Sequence, residues 1–86
     1  MKWDEGIRRD PLIEEIYKDA LKKARVGWRY FNTLLEFPED EKAEWYLSKA
    51  YDYLTSAYKT LLKNDLVNTK LAKEIEKTLV EIEANL

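Results

Sequence analysis

Apolar residues recur at three- and four-residue steps in three separate runs of this chain, and its two prolines stand outside them, one before the first run and one between the first and the second. That pattern most restricts the fold, because a three-to-four period leaves one continuous apolar stripe per segment only if each segment is an α-helix. In the first run the stripe is Ile13, Ile16, Ala20, Ala24, Gly27, Phe31 and Leu34, with Tyr17, Trp28 and Leu35 on one shoulder. In the second it is Ala43, Leu47, Ala50, Leu54, Ala57 and Leu61, with Tyr51, Tyr58 and Leu62 on one shoulder and Tyr46 on the other. The third run places Leu71, Ile75, Leu79, Ile82 and Leu86 inside a largely charged sleeve.

The punctuation sets the boundaries. Asp10-Pro11 is a helix start, since Asp caps free backbone N–H groups and proline suits a first helical position where its missing donor is not needed. Phe37-Pro38 ends the first helix, because the residue before a proline is pushed out of the helical region, and Pro38-Glu39-Asp40-Glu41 reads as an acidic first turn of the next. Lys63-Asn64 closes the second helix, with asparagine suited to a left-handed closing conformation and Asp65 or Asn68 suited to cap the third. The expectation is therefore all-α: an antiparallel three-helix bundle over residues 10–86, with helix 1 over about 10–36, helix 2 over about 38–63 and helix 3 over about 66–85. Residues 1–9 read as a short N-terminal arm, either a lid formed by Trp3 and Ile7 or a frayed end. Within helix 1, Gly27 either admits a close neighbour or marks a kink, as a mid-helix glycine is otherwise unfavourable by about 1 kcal/mol.

Several classes of chemistry are removed by what the 86 residues lack. There is no cysteine and no histidine, which excludes disulfides and thiolate metal sites and takes away the usual proton shuttle and metal ligand. Glu14-Glu15 and Glu39-Asp40-Glu41 lie at helix starts, where acids complement the helix dipole, and no glycine-rich loop or nucleophile elbow is present. We expect a non-enzymatic protein with no cofactor and no metal. A net charge of -2 with acids and bases intermixed gives no reason for a strong polyanion partner. No segment approaches the roughly 20 apolar residues of a membrane span, and Met1-Lys2-Trp3-Asp4-Glu5-Gly6 lacks a signal-peptide run. The expectation is a soluble chain, cytoplasmic or recombinant, without a targeting signal and monomeric when free.

What remains is surface. Trp45 and Tyr53 fall off the second stripe together with Lys49, Ser56 and Thr60, Tyr46 lies at its edge, and Val26 and Tyr30 sit on the side of helix 1 away from its core. Large rings among small polar residues suit a protein contact, because Trp and Tyr bring much area at small entropic cost. The competing reading is ordinary amphipathic rings lying flat across the bundle. A second candidate, Lys22 to Tyr30, interleaves bases with rings as single-strand nucleic-acid grooves do. Its bases do not share one face, however, and Glu15, Asp19 and Glu36 dilute the charge, so a solvated helix face is the better reading. A structural or self-associating bundle is the third.

Capped helices, a very regular third helix, the absence of Cys, His and Gln, and a single methionine at position 1 together resemble the de novo designed three-helix mini-binders. The same composition also suits a hyperthermophile protein. The resemblance implies a rigid pair of helices presenting aromatic anchors to a protein target while helix 3 completes the core. A weaker likeness, through Glu14-Glu15-Ile16, Tyr30-Phe31, Pro38 and Tyr58-x-x-Leu61-Leu62, is to the small bacterial YaaL-like proteins of unknown function, which implies no activity.

Overall fold

A computed structural model describes residues 11–84, which form three helices in an elongated bundle of 44 × 20 × 18 Å. They are α1 (Pro11–Glu36), α2 (Ala43–Lys63) and α3 (Lys70–Ala84), joined by two short connections so that successive helices run antiparallel. Asp10, the Trp3 and Ile7 arm, and Leu86 lie outside the described residues.

α1 and α2 approach closely because their facing residues are small. Ala20, Ala24 and Gly27 of α1 are buried, as are Ala50 and Ala57 of α2, with Leu54 and Leu61 filling the space between. Gly27 is the tightest point: a Cβ built there would lie 2.7 Å from Leu54 Cγ and 3.2 Å from the Ala50 carbonyl oxygen. Of the two roles open to Gly27, the close neighbour is the one found. α3 adds Leu71, Ala72, Ile75 and Ile82 to the same core. It is tied to the other two helices by hydrogen bonds from Trp28 Nε1 to Thr78 Oγ1 at 2.9 Å and from the Tyr58 hydroxyl to Glu76 Oε2 at 3.1 Å.

Two assignments on the shoulder of α1 are corrected. Tyr17 is only 3% exposed and belongs to the core, whereas Leu35 is 61% exposed. Tyr17, Trp28 and Leu35 form one row along α1, and α3 stands beside that row only in part. At 1.5 Å per residue the 15 residues of α3 reach about 22 Å, against about 39 Å for the 26 of α1. Trp28 of that row bonds to Thr78 of α3, and Leu35 lies at the far end of α1. Ile13, Ile16, Leu34, Ala43, Leu47 and Leu79 of the expected stripes are half-buried, and Leu62 is exposed.

Both later helices start further along the chain than expected. α2 begins at Ala43 and not near Pro38, because residues 37–42 form successive turns. The Asp40 carboxylate accepts the Lys42 N–H at 2.8 Å, and the Asp40 N–H bonds to the Phe37 carbonyl at 3.2 Å, which holds this acid in a turn instead of a helix. At the other end of α2, the Leu66 N–H reaches the Leu61 carbonyl at 2.8 Å and the Asp65 N–H reaches Leu62 at 3.3 Å. This is a Schellman closure. The left-handed residue in it is Asp65, with φ 63°, and Asn64 keeps a φ of -110°. Leu66 then folds back against the core, so α3 starts only at Lys70. Its cap is Thr69, whose Oγ1 accepts the Ala72 N–H at 3.3 Å, in place of Asp65 or Asn68.

Candidate interaction surface

On the seam between α1 and α2, opposite the side where α3 packs, four rings meet. Tyr30 of α1 is the hub. Its ring stacks on Tyr53, with centroids 5.9 Å apart and planes 16° from parallel, and on Tyr46 at 6.5 Å and 29°. Trp45 meets Tyr30 edge-on at 5.5 Å and Tyr46 at 5.7 Å. The Lys49 ammonium lies 5.5 Å above the Trp45 ring, a cation–π distance. The arrangement follows from spacing: Trp45, Lys49 and Tyr53 occupy successive turns of α2, and Tyr46 is turned toward α1 by one residue.

Tyr30 stands differently from its expected place. It is half-buried and packs against the core cluster, bridging core and surface, and does not turn away from the core. Its ring is therefore held on both sides, and it fixes the three rings of α2 that lean on it. Trp45 and Tyr53 nevertheless keep 48% and 36% of their surface open. Edge-on and offset contacts of this kind contribute about 0.5–1.5 kcal/mol each beyond burial, so these rings hold one another in place.

The remaining expected residues divide. Val26, Lys49, Ser56 and Thr60 are half-buried. The Thr60 hydroxyl donates to the Ser56 carbonyl at 3.0 Å, and the Thr60 carbonyl accepts Asn64 Nδ2 at 2.7 Å, so this pair serves the last turns of α2. Lys49, Tyr53 and Ser56 continue the ring cluster into a shallow groove whose other described walls are Lys23 and Asp52. Asp52 did not stand out in the sequence, and Lys23 figured there only within the basic stretch Lys22 to Tyr30. Lys23 is half-buried and pairs with Asp19 at 3.4 Å, an i, i+4 contact that the spacing of the two residues already allows.

Elsewhere the chemistry is sparse. Trp28, the ring inside the basic stretch Lys22 to Tyr30, points to α3 and bonds to Thr78, while Lys22, Arg25 and Arg29 are exposed on α1. Among the described residues no group of three or more acids could hold a metal ion, and no helix is long and apolar enough to cross a membrane. Among the described residues the one clear displacement of a titration is at Tyr58, whose hydroxyl is pushed above its ordinary value of 10.0 chiefly by its hydrogen bond to Glu76, with burial and the Glu76 charge acting in the same direction. Comparison with family models, with curated proteins and with solved structures finds no match to this chain.

Proposed function

We propose that this chain is a non-enzymatic protein-binding module that engages a protein target through the ring cluster on the α1–α2 seam. One observation carries the reading: Trp45 and Tyr53 are half-open to solvent yet held by ring contacts to Tyr30 and Tyr46. Rings ordered in advance lose little entropy on binding, and a central aromatic cluster with a polar rim is the usual source of most interface energy. Lys23, Lys49, Asp52 and Ser56 supply such a rim along the adjoining groove. A designed origin, suggested by the composition, fits this role without being needed for it.

The test is a selection of displayed peptides and small domains against the folded chain, followed by titration of the recovered ligands. Trp45→Ala and Tyr53→Ala should each weaken binding by about 2 kcal/mol, a factor of roughly 30, with little change in melting temperature. Ligands that keep full affinity for both variants would place the preferred binding surface elsewhere and remove the proposal.

A further inference from the structure

A second surface lies at the end of the bundle where α1 turns into α2. Phe31, Leu34, Leu35, Pro38, Ala43 and Leu47 line an apolar groove there, with Glu44 at its edge. No residue of α3 lines it, in keeping with the shorter reach of that helix. Leu35 on its wall is 61% exposed, and Phe37, next to Pro38 in the chain, is 54% exposed. Large side chains left open around one groove are unlike the scattered Leu12, Leu62 and Val80, which single exposed apolar residues account for.

The charge around this groove has one sign. From residue 36 to residue 44 the chain carries Glu36, Glu39, Asp40, Glu41 and Glu44 against Lys42 alone, and all six are exposed. The last turn of α1 ends at the same place and contains no basic residue that would offset these acids. The rest of the described chain carries an excess of bases, which concentrates the negative charge of the molecule at this end.

We infer that this groove docks a cationic amphipathic helix from a partner protein, its apolar face against Leu34, Leu35 and Leu47 and its lysines or arginines facing Glu39, Asp40, Glu41 and Glu44. Charge complementarity selects that occupant. A second copy of the chain would bring an equally acidic rim against the first, and like charges facing each other across an interface are strongly disfavoured. An apolar groove with an acidic margin is the complement of a helix with an apolar stripe and basic flanks. The site is separate from the ring cluster and does not depend on it.

The probe is a labelled synthetic helix of roughly 18 residues with leucine at three-and-four spacing on one face and lysine on the others, titrated by fluorescence anisotropy against the full chain. Binding should be saturable and weaken as salt is raised from about 50 to about 200 mM. Leu35→Ser and the pair Glu41→Lys, Glu44→Lys should each reduce affinity by about tenfold or more, and Trp45→Ala should leave it unchanged. All of these positions are exposed, and circular dichroism of each variant verifies the fold. Equal affinity for wild type and Leu35→Ser would overturn the inference, since charge alone would then attract the peptide. Loss of binding in Trp45→Ala would likewise overturn it by moving the peptide to the ring cluster. Concentration-dependent dimerisation of the wild type that Leu35→Ser abolishes would assign the groove to a second copy and overturn it as well.

Discussion

A methyl group at position 27 has nowhere to go: Leu54 Cγ is 2.7 Å and the Ala50 carbonyl oxygen 3.2 Å from where it would stand. Alanine gains about 1 kcal/mol of helix propensity over glycine. Forcing an extra carbon into a packed interface costs typically 1–3 kcal/mol, and one of the two neighbours here is backbone that moves only with its helix. We expect Gly27→Ala to lower stability by about 1 kcal/mol in denaturant titrations, and the same change in a Leu54→Ala background to be neutral or stabilising. A rise in stability on the wild-type background would mean that α2 is free to withdraw. Asp65 presents the opposite case. Its φ of 63° is one that side chains with a Cβ adopt at a penalty, and the Schellman closure requires it. Asp65→Gly should therefore stabilise the fold by about 1 kcal/mol, and Asn64→Gly should not, because Asn64 has a negative φ. The reverse ranking in thermal melts would place the left-handed turn one residue earlier.

At the scale of the helices, the apolar periods located all three and the starts of two were misplaced, for a reason that is itself local. A run such as Pro38-Glu39-Asp40-Glu41 has the chemistry of an acidic first turn, but Asp40 uses its carboxylate on the backbone N–H two residues ahead and holds the chain in a turn. Periodicity cannot reveal that competition, because residues 38–42 contribute nothing to the stripe. In the second connection Leu66, which belongs to neither apolar stripe, is the residue that folds back to close α2. The displaced cap gives a direct check. Thr69→Ala should destabilise the chain by about 1 kcal/mol, since it removes the acceptor of the Ala72 N–H, whereas Asn68→Ala should be close to neutral. If Asn68→Ala proved the more damaging, α3 would begin a residue earlier than its hydrogen bonds indicate. The ring cluster was legible to a similar degree. The α2 face carrying Trp45, Lys49 and Tyr53 follows from spacing alone, but the placement of Tyr30 does not. Whether a ring at the margin of a stripe turns outward or fills the seam depends on how closely the neighbouring helix approaches, and Gly27 decides that from one turn away.

The molecule as a whole is two long helices sharing a tight interface and a shorter third held by fewer connections. α3 supplies four buried residues, and its side-chain hydrogen bonds to the other helices include Trp28–Thr78 and Tyr58–Glu76. The second of these makes the attachment of α3 depend on pH. Because the hydrogen bond to Glu76 raises the Tyr58 hydroxyl above 10.0, the folded state holds that proton more tightly than the unfolded chain does. The resulting stabilisation is fully present below about pH 10 and is lost as the pH rises through the folded value, where a phenolate would face a carboxylate. Tyr58 is half-buried but its hydrogen bond to Glu76 is exposed, so the effect is small in absolute terms and is best read as a difference. Denaturant titrations of the wild type and Tyr58→Phe at about pH 8 and about pH 11 provide it, since the remaining tyrosines and lysines titrate in both proteins and cancel. The stability advantage of the wild type should shrink or reverse at the higher pH, and the same advantage at both would show that the bond to Glu76 contributes nothing. Sodium chloride should leave most of the low-pH advantage in place, because the neutral phenol donates a hydrogen bond and is not half of an ion pair. The ring cluster lies on the opposite side of α2 from this bond. Loss of the bond should therefore loosen α3 while the proposed binding through Trp45 and Tyr53 continues, for as long as α1 and α2 remain packed on Gly27.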